Sequence, residues 1–145
     1  MTRLLSDDSG STLPLTIFYG VLSLALILLV VAATSLYLER KRLFTLADGA
    51  ALVGAESFAL DDVALGPAGF APTLEATDVS AAVTTYLASI PDPGFHSLAV
   101  DRATTNDGTS ATVTLSADWH PPVLSVLVPD GLRIEVTARA RSIFD

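Results

Sequence analysis

LPLTIFYGVLSLALILLVVAATSLYL, residues 13–38, runs for about 26 residues without a charged side chain. Wound as an α-helix at about 1.5 Å per residue, such a run crosses a hydrocarbon layer about 30 Å thick with tilt to spare. A helix buried in a soluble core has little use for that length. Ser11 or Thr12 stands where an N-cap belongs, and Pro14 falls in the first turn, where its missing N–H removes no helical hydrogen bond. Tyr19 and Tyr37 lie near the two ends, as aromatics at a membrane–water boundary do. Arg40, Lys41 and Arg42 follow directly and form the one basic cluster of the chain. These five residues are the membrane-interface candidates, and membrane lipid is the first partner implied.

A cleavable secretory signal is the competing reading, with Val31-Ala32-Ala33 as its small-residue cleavage site. Against it, the apolar run exceeds the roughly 7–15 residues of such a signal. The residues before it set Asp7 and Asp8 beside a single Arg3 instead of a net positive charge.

The 145 residues leave room for one modest domain beside a spanning helix. The high hydrophobic fraction is concentrated in that helix, and the remainder has ordinary globular composition. The formal net charge is −8, and beyond Glu56 only Arg102, Arg133, Arg139 and Arg141 oppose the acidic residues. Neutralising phosphates takes a basic face, so nucleic acid is excluded as a partner of this part of the chain. There is no cysteine, which removes disulfides, thiolate metal sites and thiol nucleophiles from consideration.

Beyond the basic cluster, Leu43, Leu46, Ala47, Ala50, Ala51, Val53 and Gly54 continue at helical spacing, so the helix is expected to extend to about Phe58. Ala47, Ala51 and Ala55 recur every four residues, as do Ala50 and Gly54, and rows of small residues let another backbone approach closely. Ala47, Asp48, Ala50, Ala51, Gly54 and Ala55 are therefore the candidate helix-packing interface. Two partners fit it: a neighbouring subunit, or the chain's own domain. Asp48 is the lone charge there, and on a packed rod it would need a basic partner, whereas in solvent it needs none.

The expected division is residues 1–12 as a short N-terminal segment, 13–58 as the spanning helix and its extension, and 59–145 as the distal domain. Gly66-Pro67, Gly69 and Pro72 mark the stretch from Asp61 to Thr77 as an irregular connector. Asp78 then stands as the N-cap of a short amphipathic helix carrying Val79, Val83, Tyr86, Leu87 and Ile90, stopped by Pro91 and Pro93. From Ser97 the period changes to two. Leu98 and Val100, then Val113, Leu115 and Ala117, alternate on either side of the Asn106-Asp107-Gly108 turn, which makes a hairpin. Val123, Leu124, Val126, Leu127 and Val128 form an apolar stretch between prolines, and Ile134, Val136, Ala138 and Ala140 form a third alternating run. Helix, helix, then strands is an α+β order with one short helix and an antiparallel sheet of three or more strands.

No catalytic machinery is visible. His96 and His120 sit in separate loop-like contexts without further ligands at metal spacing, so no metal or cofactor is expected. There is no Gly-rich phosphate loop after a strand and no nucleophile elbow. Asp61 and Asp62 and the acids at Asp101, Asp107, Asp118 and Asp130 are scattered among turns and lack the alternating pattern of a calcium loop. Trp119, ahead of His120-Pro121-Pro122, either closes the core or stands exposed as an anchor for a partner.

Three stretches resemble the TadE/TadG-like proteins of tight-adherence (Flp-type) pilus systems. They are Gly10-Ser11-Thr12-Leu13-Pro14-Leu15; Leu38 to Leu43 followed by Ala47-Asp48-Gly49-Ala50-Ala51-Leu52-Val53-Gly54-Ala55; and the strand-like ending, Ala111 to Trp119 and Leu132 to Arg141. The resemblance implies a pilin-like domain on a long N-terminal helix, an inside N-terminus and an extracytoplasmic domain. It implies no catalysis. The role it implies is that of a minor pilin, pseudopilin or accessory structural subunit of an adhesive pilus or secretion apparatus, oligomerising through the helix. Its partners would be other pilus or pseudopilus subunits and the assembly platform. Counting basic residues alone would instead put the Arg40-Lys41-Arg42 side in the cytoplasm. Related prepilins carry Glu at the fifth position after a cleaved glycine, whereas that position counted from Gly10 is Leu15. The alternative function, from a different class, is a lone membrane-anchored extracytoplasmic binding domain acting through a sheet edge or the Trp119 loop.

Overall fold

An uncharged run of Leu, Ile and Val followed by an Ala-rich segment has no residue that breaks a helix after its first turn. In the computed structural model it forms one unbroken helix, α1, over Thr12–Ala55. The structure describes residues 12–58, 63–66, 69–122 and 129–141. Ser11, Asp61 and Asp62, and the apolar stretch 123–128 therefore lie outside the described residues. Thr12 is helical, and its carbonyl accepts a hydrogen bond from Thr16 Oγ1 at 2.9 Å. α1 ends at Ala55, short of Phe58, because the Gly54 carbonyl accepts both the Ser57 N–H and, at 2.8 Å, the Ser57 hydroxyl.

The Gly/Pro segment after α1 differs from the irregular connector expected of it. Val63–Gly66 (β1) and Gly69–Pro72 (β2) pair as an antiparallel ribbon. Gly66 pairs with Gly69 at one end of it, and Pro72 pairs with Val63 at the other. There a residue lacking an N–H interrupts no continuing ladder.

The short helix, α2, spans Ala76–Ala88. Its N-cap position is Glu75, in extended conformation and without a side-chain cap bond, so Asp78 is not the cap. Asp78 lies instead in the first helical turn, where a carboxylate is favoured by the exposed N–H groups of that end. Ser89 closes the far end, its hydroxyl donating to the Tyr86 carbonyl at 2.6 Å.

Three strands, His96–Thr105 (β3), Ser110–Trp119 (β4) and Leu132–Arg141 (β5), form an antiparallel sheet in the order β3-β4-β5. The β3–β4 turn is built by Asp107, whose Oδ1 accepts the N–H groups of Thr109 and Ser110, and by Gly108 at φ 66°. Gly131 at φ 68° opens β5, and a Cβ there would stand 2.8 Å from the Trp119 carbonyl oxygen. Glycine is thus required on two grounds.

The sheet lays one face along the upper half of α1. Ala111, Val113, Leu115, Ala117 and Trp119 of β4 and Ile134, Val136 and Ala138 of β5 are buried in one cluster with Leu43, Ala47, Ala50 and Ala51 of α1 and Val79 and Val83 of α2. Two contacts give the direction. Gly54 lies beside Ala111, and Ser35 beside Trp119, so β4 descends as α1 ascends.

Candidate packing and membrane-contact surfaces

The small-residue row occupies the seam between α1 and its own domain. Ala47, Ala50, Ala51 and Ala55 are fully buried, and Gly54 is buried with them. A Cβ on Gly54 would stand 3.2 Å from Ala111 Cβ, 3.2 Å from Val79 Cγ1 and 3.4 Å from Val83 Cγ2. One on Gly49 would stand 2.7 Å from the Tyr86 hydroxyl oxygen. These positions are small because α2 and β4 approach the α1 backbone there. In this fold the row is covered by the chain's own domain. Asp48, alone of the six residues, faces solvent.

A flank of α1 beside this seam is open. Tyr37, Leu38, Phe44 and Leu52 are each roughly half exposed or more, beside exposed Arg40, Lys41 and Arg42. Tyr37, Arg40, Lys41 and Phe44 line a shallow groove completed by Val136 and Thr137 of β5. Tyr37 is therefore beside the domain, whereas Tyr19 stands on the bare lower half of α1. From Thr12 to Val31 every side chain but that of Leu28 is exposed, and α1 passes unbroken through Val31-Ala32-Ala33. This helix meets the length and hydropathy expected of a membrane span.

At the lower end of the sheet Trp119 is 7% exposed, and its Nε1–H donates to Ser35 Oγ at 3.2 Å. It closes the core and is not an exposed anchor. Beside it the rings of His96 and His120 stand edge to face with centroids 5.0 Å apart. The sequence alone sets them in separate loop-like contexts. The missed signal is the register: extending the Thr105↔Ala111 pairing down the hairpin without interruption would set His96 opposite His120, and bulges move its partner to Asp118.

Two carboxylates are held ionised. Asp107 lies well below the ordinary carboxylate range, chiefly because the Thr109 N–H and the Ser110 hydroxyl donate to it, with Arg139 at 2.6 Å adding to both. Asp118 is lowered by a hydrogen bond from the Ser97 side chain, against partial desolvation, and by Arg133 at 3.2 Å. Both belong to hydrogen-bonded turns and strand ends. Among the described residues, no three His, Cys, Asp or Glu side chains gather in a metal-binding arrangement.

Residues 10–57 match the family model described as putative Flp pilus-assembly TadE/G-like, a stretch that takes in the whole of α1. The resemblance at Gly10–Leu15 and Leu38–Ala55 falls inside this match, and that of the last strands falls outside it. No curated protein and no solved structure matches the chain.

Proposed function

With the TadE/G-like pilus-assembly match over residues 10–57 as premise, we propose that this chain is a membrane-anchored structural subunit of a tight-adherence pilus or related secretion apparatus. It acts as a minor pilin, pseudopilin or assembly accessory. Its N-terminus is cytoplasmic and its α+β domain extracytoplasmic. One observation carries the reading: α1 is a single helix, bare and apolar below, and clad by the domain on one side only above. Such a helix has a hydrophobic reason to be in lipid and keeps an open flank along the rest of its length.

Assembly runs along that flank. Because the small-residue row is occupied internally, lateral packing falls to Tyr37, Phe44 and Leu52, with Lys41 and Asp48 available for complementary pairing with a staggered neighbour. Interfaces of this kind draw on apolar anchors more than on rim charges.

The chain has no cysteine, so single-cysteine cross-linking applies directly. In cells carrying the pilus system, Phe44→Cys and Leu52→Cys should cross-link to another subunit, whereas Ala51→Cys, fully buried in the core of its own chain, should not. Absence of cross-links at both exposed positions would count against assembly through α1. Labelling of an exposed domain cysteine by a membrane-impermeant maleimide in intact cells should succeed, and protection there would overturn the assigned orientation.

A further inference from the structure

We propose that the domain does not stand clear of the membrane on a stalk but sits directly on the bilayer, with the Trp119 end of its sheet in the phospholipid headgroup layer. This rests on reading α1 as a membrane anchor. Ala32 is the first buried residue of α1, and Ser35 holds Trp119. Below them the bare segment Thr12–Val31, at about 1.5 Å per residue, is about 30 Å long, the thickness of the hydrocarbon core itself. No apolar length is left over to form a stalk.

Two opposed costs bracket the boundary. Were the bilayer to rise towards Leu38, the charged pair of Arg133 with Asp118 at the sheet's lower end would enter hydrocarbon, which is expensive even for paired ions. Were it to fall, Ile27, Val30 and Val31, each about 60% exposed in the case of Ile27 and Val30 and 44% for Val31, would face water instead of lipid. The edge itself suits a headgroup layer. It presents His96, His120 and half-exposed Leu132 around the Trp119 side chain, an amphipathic mixture of the kind found at membrane surfaces. Arg40, Lys41 and Arg42 start about 12 Å or more above Ala32 by the same rise, and side chains on a helix lean toward its N-terminus. Their long stems therefore sweep down toward lipid phosphates.

Trp119 is the one tryptophan of the chain, so the native protein reports its own depth. The full chain would be reconstituted in phosphatidylethanolamine–phosphatidylglycerol vesicles carrying a nitroxide either on the headgroup or near the acyl-chain end. The expected result is loss of most Trp119 emission with the headgroup label and little loss with the deep one. Emission untouched by both labels, or lost mainly to the deep label, would overturn the seating. A Leu22→Trp, Trp119→Phe chain tests the anchor separately, because Leu22 lies near the middle of the bare segment. Quenching of Trp at 22 by the deep label together with an unquenched Trp119 would leave the anchor standing and remove only the seat. No deep quenching at 22 would remove both.

Discussion

Single residues set how closely the elements of this domain approach. Gly54 has Val79, Val83 and Ala111 within 3.4 Å of where a side chain would begin, so Gly54→Leu should cost about 1–3 kcal/mol by overpacking. Thermal unfolding of the detergent-extracted protein would measure it, and an unchanged midpoint would show the α1–α2 seam to be loose. Asp107 acts through charge. Because its folded pKa is lowered, its contribution to stability is present above the unfolded carboxylate value, about 4, and is lost as pH falls from there toward the folded value. Asp107→Asn should therefore be less stable than wild type above about pH 5, with the gap closing as pH falls below about 4. A gap that persists unchanged in acid would assign the effect to turn geometry instead of charge. The Asn106-Asp107-Gly108 turn was readable directly, since its residue types have no other common use between two alternating runs. The destination of Gly54 was not, because a small-residue row looks the same whether the backbone it admits comes from its own chain or another.

At the scale of elements, the bond between Ser35 and Trp119 ties the end of β4 to α1 across most of the sequence. Ser35→Ala leaves a nearly buried indole N–H without that partner and should cost about 1–3 kcal/mol, visible as a lower melting point. An unchanged melting point would mean that water replaces the hydroxyl. The strands were legible from alternation of period two and α2 from its valine spacing and prolines. The β1–β2 ribbon was not, because four-residue strands bearing Gly and Pro carry no alternation that would announce their pairing. The neighbouring histidines illustrate the same limit: each residue was visible, but their adjacency is a property of the register.

For the whole molecule, the division into a bare and a clad half of α1 predicts separability. Among the described residues none before Leu28 is buried, so a chain beginning near Leu28 should fold with a melting temperature close to that of the full protein, while no longer requiring detergent. A collapsed or unfolded fragment would show that the lower half supports the domain. The candidate span was evident in the sequence as an absence of charge; where its bare part ends and its clad part begins was not, since Leu13 to Leu38 is uncharged throughout and only the packing from Ala32 upward, with Ser35 holding Trp119, divides it. The continuity of α1 through that division has a mechanical result. A shaft without a joint passes on what is applied to one end: axial pull or torsion acting on the bare half arrives at the sheet, and a load on the sheet returns to the bare half the same way.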